Sequence, residues 1–383
     1  MSNLHPLVLL NGLTPAQFLA EYWQKKPLLI RNAMPDFAGL LTPDELAGLA
    51  CEEEVQARIV QKNGAKWTVK NGPFDDEDFA KLADKDWTLL VQSVNHFLPE
   101  AADLLAQFNF IPHARLDDLM VSYAPDGGGV GAHIDSYDVF LLQGSGRRNW
   151  KISTQNDLSL IENAPLKIIK NFVAEQEWTL EAGDMLYLPP QIAHWGTAMG
   201  DDCMTYSVGF RAPNQQELMH EFLSYLQDNL SFVNTQNILY SDPDLTLQKH
   251  PAEISDDMIN QVREMLQKIS WDKQHVADFL GKYLTEPKPD VFFEPADGLS
   301  KKQFLKHLQQ KTLRLDLKSQ LLFTNDVFYL NGEKLQVEDV LIETMQDFAN
   351  NRYLDKSGLS QNLYILLADI LFDYYLAGFI FFE

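Results

Sequence analysis

The segment Gly127-Gly-Gly-Val-Gly-Ala-His133-Ile-Asp135 combines a glycine-rich stretch with a histidine and an aspartate two positions apart. Alternate side chains of a β-strand share one face, so His133 and Asp135 are expected to point the same way, with Ile134 opposite. One imidazole and one carboxylate on neighbouring same-face positions can grip a single metal ion. The segment therefore predicts part of a metal site on a β-sheet.

A second segment, Gly183-Asp-Met-Leu-Tyr-Leu-Pro-Pro-Gln-Ile-Ala-His194, lies about sixty residues further along the chain. Its first two residues predict a turn, Met185–Leu188 a strand, and the two prolines the end of that strand's pairing, which puts His194 on the next strand.

Two histidines and one carboxylate leave three adjacent octahedral positions open, as in Fe(II) oxygenases, whereas structural zinc sites are closed by four protein ligands. We therefore predict an Fe(II) site on His133, Asp135 and His194. The alternative is that the two histidines are ordinary hydrogen-bonded residues of the sheet.

The run Gln143-Gly-Ser-Gly-Arg-Arg-Asn-Trp-Lys-Ile152 contains a candidate cosubstrate anchor. Gly144 to Gly146 are expected to form a hairpin turn, after which Arg148 shares a face with the apolar Trp150 and Ile152. A guanidinium on the inner face needs an anion, and a ligand carboxylate can supply it through a bidentate ion pair. Arg148 therefore predicts a dicarboxylate cosubstrate; an internal Arg–Asp pair is the alternative.

Short apolar or alternating runs recur over residues 57–211, with glycine, proline, asparagine and aspartate between them. This texture predicts an antiparallel sandwich or barrel. After residue 213 the pattern becomes helical, as in 215–229 and 256–268. The run Glu286-Pro-Lys-Pro-Asp290 predicts a linker, and the remainder mixes helices with a hairpin around Asn325-Asp326.

The net charge is -23 over 383 residues, and such an acidic surface argues against tight binding of DNA or RNA and suits a basic protein partner. Two cysteines far apart in sequence, Cys51 and Cys203, predict a reducing compartment. No segment has the pattern of a signal peptide or membrane span, so we expect a cytoplasmic protein without membrane attachment.

Six runs carry a likeness to one protein family: Asp117-Asp-Leu-Met-Val-Ser122, the 127–135 segment, the 143–150 segment, Trp23-Gln-Lys-Lys-Pro27, Tyr206-Ser-Val-Gly-Phe-Arg-Ala-Pro-Asn214 and Tyr240-Ser-Asp-Pro-Asp244. In these runs the chain resembles the JmjC-type ribosomal oxygenases, and most strongly the bacterial arginine hydroxylases that act on protein sixteen of the large ribosomal subunit. The likeness covers nearly the whole chain and is densest over residues 116–214.

The resemblance implies a mainly β cupin/JmjC double-stranded β-helix barrel in residues 1–213, an all-α dimerisation region in 214–286 and a small α+β winged-helix-like module in 287–383. It implies Fe(II) with 2-oxoglutarate and O2 as cosubstrates. Arg148 would pair with the distal carboxylate of 2-oxoglutarate, and Ser122 would hydrogen-bond it. The substrate would be an arginine of a basic ribosomal protein, hydroxylated at the β-carbon by a homodimeric enzyme.

Other functions stay open at this point. The same chemistry would serve another protein, RNA or a small molecule. A cupin can also bind metal as an isomerase, or act as a ribosome-assembly factor without catalysis. For the winged-helix-like module no direct DNA binding is expected, since residues 291–383 hold nine Lys and Arg against thirteen Asp and Glu.

Overall fold

The computed structural model describes residues 5–229, 239–296 and 298–383, which form two compact units. The first comprises the described part of Met1–Ala212 with Asp290–Phe292, and the second that of Pro213–Pro289 with Phe293–Glu383. The finer division at residues 213 and 286 stays a prediction. Within the described ranges, every helix is too short or too polar to span a bilayer.

The strands of the first unit are β1 (Leu28–Ile30), β2 (Ala57–Asn63), β3 (Lys66–Asn71), β4 (Trp87–Val91), β5 (Leu116–Ala124), β6 (Val139–Ser153), β7 (Gln176–Glu181), β8 (Met185–Leu188) and β9 (Ala193–Phe210). They pair antiparallel in the order β1-β8-β6-β9-β5-β4-β2-β3, with β7 beside β6. The predicted antiparallel architecture is therefore confirmed, including the short strand before the two prolines.

The helices of the first unit are α1 (Pro15–Glu21), α2 (Pro43–Leu49), α3 (Asp76–Ala80) and α4 (Pro99–Ala106). Thr42 accepts a hydrogen bond from the backbone N–H of Glu45 and thereby caps α2. Thr14 caps α1 in the same way.

The two faces of the sheet have different surroundings. On one face, Phe140 and Leu142 of β6 join a large aromatic core that includes Phe18 and Tyr187. On the other, Val139 and Leu141 join a smaller cluster that contains Trp150 and Ile152. Val139, Leu141 and Trp150 of the smaller cluster line the cavity described below.

The hairpin turn predicted at Gly144–Gly146 is wrong, because β6 runs through this stretch and pairs with β9 on both sides of it. The register shifts between Gln143 and Arg147 mark bulges, which exchange the faces of the strand. Gly146 has a positive φ of 59°, and a Cβ there would collide with the carbonyl oxygen of Asp202. The bulge brings Arg148 to the same face as Val139.

The second unit contains α5 (Gln215–Asp228), α6 (Asp256–Leu266), α7 (Lys273–Thr285), α8 (Lys301–Gln310), α9 (Ile342–Asn351), α10 (Gln361–Leu376), β10 (Leu313–Leu315), β11 (Leu321–Thr324), β12 (Val327–Leu330), β13 (Glu333–Leu335) and β14 (Ile380–Phe382). Strands β11, β12 and β13 form an antiparallel sheet, and β10 pairs with β14. The predicted hairpin is confirmed, with Asn325 at a φ of 54° in its turn. Helices α8, α9 and α10 enclose a core around Phe304, Phe348 and Leu371.

Candidate metal centre

Both predicted histidine ligands are oriented by backbone carbonyl groups. His194 lies in β9 and is buried, with its Nδ1 2.9 Å from the carbonyl oxygen of Ile192. The Nδ1 of His133 lies 3.0 Å from the carbonyl oxygen of Gly131. A carbonyl oxygen only accepts hydrogen bonds, so each Nδ1 carries the proton and each Nε2 keeps a free lone pair.

His133 and Asp135 do not lie on a regular strand, contrary to the prediction. His133 forms an isolated bridge with His194, with backbone hydrogen bonds of 2.9 and 2.8 Å in the two directions. The carbonyl oxygen of Asp135 accepts from the N–H of Gln191. Upstream, Gly129 approaches β9 so closely that a Cβ would collide with the carbonyl oxygen of Gly196. The glycine run thus lets this segment approach β9 closely without a continuous ladder of backbone hydrogen bonds.

The three side chains nevertheless converge. The Nε2 atoms of His194 and His133 lie 3.5 and 3.9 Å from the carboxylate oxygens of Asp135. One ligand atom from each residue can be chosen so that all lie within 4.8 Å of one another. Two imidazole lone pairs and a carboxylate repel one another unless a cation lies between them. This donor set therefore fits a metal ion with open positions.

Burial, together with the neighbouring His133, lowers the pKa of His194. The imidazole of His194 is therefore neutral at neutral pH, which is the form that binds a metal.

A cavity of about 210 Å³ opens beside the three residues. Its walls come from β2, β4, β5, β6, β9 and the two segments that connect β5 to β6 and β6 to β7. They include Arg58, Leu90, Met120, Ser122, Tyr137, Val139, Leu141, Arg148, Trp150, Leu166, Lys167, Thr205 and Ser207. The cavity is large enough for a small dicarboxylate beside a metal ion.

Arg148 lines this cavity, is only 5% exposed, and has no acceptor for Nε and Nη2 among the described residues. These two nitrogens share one edge of the guanidinium, the edge that binds a carboxylate in bidentate fashion. The alternative of an Arg–Asp pair finds no support at these two atoms. Ser122, on β5, is also buried in the cavity wall. Both predicted cosubstrate residues therefore line the same cavity as the cluster.

Sequence reasoning missed several residues of the cavity. The sequence analysis treats Trp150 only as an apolar neighbour of Arg148. Because the two residues share one face of the strand, the indole N–H was already expected on the same face as the guanidinium. Arg58, Leu166 and Lys167 carried no local signal, because a distant strand and the segment before β7 bring them to the cavity.

Two family models match the chain. A JmjC domain covers residues 103–218, which include the cluster, and a ROXA-like winged helix covers residues 267–380. The chain is 37% identical over 324 residues to the ribosomal protein uL16 3-hydroxylase of Escherichia coli K12, covering 83% of this chain and 84% of that protein. It is 39% identical over 271 residues to a probable ribosomal oxygenase of Haemophilus influenzae, covering 66% and 63%.

Solved structures of the E. coli ribosomal oxygenase YcfD are similar over nearly the full length. One of them has a TM-score of 0.83 at 34% identity, covering 97% of this chain and 98% of that one. Another, described as a complex with cobalt and 2-oxoglutarate, has a TM-score of 0.80 at 34% identity and the same coverage.

Proposed function

The chain belongs to the JmjC-type ribosomal oxygenases, and we propose that it hydroxylates the β-carbon of one arginine in ribosomal protein uL16. It is an Fe(II)- and 2-oxoglutarate-dependent oxygenase. The observation that carries the proposal is one cavity that combines a three-residue ligand cluster with a buried guanidinium whose Nε and Nη2 find no acceptor among the described residues.

Within this proposal, His133, Asp135 and His194 hold Fe(II) through the two Nε2 atoms and the carboxylate. Iron supplies the oxidative chemistry, in which O2 converts 2-oxoglutarate to succinate and CO2 and one oxygen atom goes to the substrate carbon. The backbone acceptors on both Nδ1 atoms keep the rings in the metal-binding tautomer.

Arg148 and Ser122 hold the distal carboxylate of 2-oxoglutarate in this proposal. The guanidinium supplies two parallel N–H donors, and the hydroxyl of Ser122 supplies one more. Val139 and Leu141 keep the adjacent wall apolar, which limits water around the reacting groups.

The identity of the substrate rests on the E. coli relative, whose name states uL16 3-hydroxylation. The net charge of -23 agrees with a basic substrate, since opposite charge accelerates encounter and disfavours competing acidic partners. A ribosomal protein substrate also places the reaction in the cytoplasm.

The test is to incubate the protein with Fe(II), 2-oxoglutarate and purified uL16 and to measure peptide masses. We expect one added oxygen atom on a single arginine, with succinate formed in equal amount. Fragment spectra locate the hydroxyl on the side chain. Succinate formation without oxygen on uL16 would retain the oxygenase and reject this substrate; no 2-oxoglutarate turnover with any ribosomal protein would reject the catalytic function.

A homodimer is part of the same proposal. In the part of the chain that the structure describes, no residue of α6 is buried, yet four apolar residues follow one another at helical spacing. These exposed residues are Met258, Ile259, Val262 and Leu266. An exposed amphipathic helix of this kind is suited to pairing with a second copy.

Light scattering after size-exclusion chromatography tests the dimer. We expect twice the monomer mass for wild type and a monomer for Ile259→Glu, because a charge at the apolar face disfavours burial. Asn260→Glu, next to it on the polar side, is the matched control and should stay dimeric. A monomeric wild-type protein would contradict this part of the proposal.

For the winged-helix unit we propose a protein-binding role, because residues 291–383 carry more acidic than basic side chains. A gel-shift measurement at low salt should find no complex with duplex DNA. A shifted band there would contradict this role.

A further inference from the structure

Trp150 carries a buried N–H group for which the described part of the chain offers no acceptor. The residue is only 6% exposed and lines the cavity, and its Nε1 has no hydrogen-bond partner among the described residues. An indole nitrogen can only donate, so a buried Nε1 usually finds an acceptor. An acceptor supplied by a ligand would satisfy it.

The position of Trp150 lies between the two anchors of the proposed cosubstrate. Its ring centroid is 5.9 Å from that of His194 and 5.8 Å from the Cζ atom of Arg148. Trp150 and Arg148 occupy alternate positions of β6 and therefore share the face that lines the cavity. A molecule that reaches from Arg148 to the metal cluster must pass the indole ring.

The orientation of the indole agrees with this. Trp150 pairs with Gly196 of β9, where an added Cβ would lie 2.7 Å from the Cη2 and Cζ3 atoms of the ring. The six-membered part of the indole therefore fills the space over Gly196. Nε1 lies on the five-membered part, away from Cε3 and Cζ3.

We propose that Trp150 donates a hydrogen bond from Nε1 to a carboxylate oxygen of bound 2-oxoglutarate. This inference rests on the proposed function, because it assigns a further donor to the same cosubstrate. A carboxylate offers about four acceptor positions, and the side-on fork of Arg148 uses two of them. Arg148 and Trp150 together therefore present to an anion three N–H groups that have no partner within the described ranges.

The first test measures the dissociation constant of 2-oxoglutarate by calorimetry, with full-length protein loaded with Zn(II) so that no turnover occurs. Trp150→Phe keeps an aromatic ring and removes the N–H, and we expect the dissociation constant to rise about 10-fold. Trp178→Phe is the matched control, because Trp178 lies opposite Trp150 on the neighbouring strand β7 and does not line the cavity. Its dissociation constant should stay within about twofold of wild type.

The second test observes the indole N–H directly in the Zn(II) form of protein carrying ¹⁵N-labelled tryptophan. Adding 2-oxoglutarate should move the Trp150 indole proton downfield, as a new charge-assisted hydrogen bond does. The resonance is assigned from the signal missing in Trp150→Phe. If that variant does not fold, Phe variants of the other tryptophans assign it by elimination.

Three outcomes separate the possibilities. If wild type does not bind 2-oxoglutarate at all, the proposed function fails before Trp150 is considered. If wild type binds but Trp150→Phe binds equally well, or Trp178→Phe weakens binding as much, the role of Trp150 is overturned. An indole resonance that stays in place when the ligand saturates the site likewise overturns it.

Discussion

Two arginines, one in each unit, differ in what their guanidinium groups contact. Arg352 of the second unit donates from Nη2 to the carbonyl oxygens of Asp316 and Leu317, at 2.8 and 3.3 Å. Arg148 of the first unit is more deeply buried, yet its Nε and Nη2 have no acceptor in the described chain. Arg352 thus stabilises the fold, whereas Arg148 is available to bind a ligand.

The contrast extends beyond these two residues. In the described ranges, the buried side-chain nitrogens or oxygens without a hydrogen-bond partner belong to Arg58, Arg148 and Trp150. All three residues line the cavity of the first unit. Since buried polar groups in proteins are normally paired, their concentration at one place indicates a binding site for a polar ligand.

The largest expected effect comes from the cluster itself. Asp135→Ala removes the carboxylate from the metal site, and we expect hydroxylation to fall by at least about 1,000-fold, because O2 chemistry needs the metal. The stability of the metal-free protein should change little, since no donor of the described chain is bonded to this carboxylate. Activity assays and urea unfolding without metal measure the two effects.

Asp138→Ala, three residues further on, is the matched comparison, in which we expect a loss of stability instead. The carboxylate of Asp138 accepts from Tyr187 and Gln24, so its loss should destabilise the protein by about 3 kcal/mol. If Asp135→Ala destabilised the metal-free protein as much, the contrast between the two roles would fail.

Arg148→Leu should have the next largest effect. We expect the dissociation constant of 2-oxoglutarate to rise about 100-fold, because a buried bidentate ion pair is lost. The ligand-free protein should be as stable as wild type or more stable, since the change removes a buried charge whose Nε and Nη2 have no acceptor in the described residues. Calorimetry and thermal unfolding provide both values.

Arg147→Leu is the control for this change, because Arg147 is the exposed neighbour on the same strand. Its affinity for 2-oxoglutarate should match wild type. Equal weakening by both variants would show that general charge, and not the buried guanidinium, attracts the cosubstrate.

Arg352→Leu reverses the pattern. Two carbonyl groups lose their donor, and we expect the free energy of unfolding of the second unit to fall by about 2 kcal/mol. The affinity of the first unit for 2-oxoglutarate should be unchanged. A large loss of affinity would mean that the two units are coupled and would weaken the comparison.

The smallest effects come from two buried serines. Ser122→Ala should raise the dissociation constant of 2-oxoglutarate about fivefold, by the loss of one hydroxyl hydrogen bond, with little change in stability. Ser319 of the second unit donates to the carbonyl oxygen of Phe379, so Ser319→Ala should lower stability by about 1 kcal/mol without affecting affinity. Calorimetry and unfolding of both variants separate the two outcomes.

Local patterns were sufficient to predict much of the fold. Alternation and turn residues predicted the strands of the first unit, including Met185–Leu188. The inward position of Arg148 was also predicted correctly, since parity past the glycines is a local property.

The errors arose where long-range contacts decide the backbone. The glycines at 144 and 146 were interpreted as a turn, but they accommodate the ring of Tyr206 and the backbone of Asp202 within a continuing strand. His133 was placed on a strand, but its segment bonds to its neighbours at only a few points. These close contacts cannot be predicted from the local sequence, because the contacting residues lie about sixty positions away.

The unequal support of the three cluster residues has a consequence for how the site responds to loss of its ion. His194 belongs to the part of β9 that pairs continuously with β6, opposite Ile152, whereas His133 and Asp135 lie on an irregular segment with few backbone bonds. The sheet therefore fixes the position of His194, whereas the segment that carries His133 and Asp135 is held less firmly. When the ion is lost, the segment that carries His133 should open before β9 does. A bound ion therefore also stabilises the contact between this segment and the sheet.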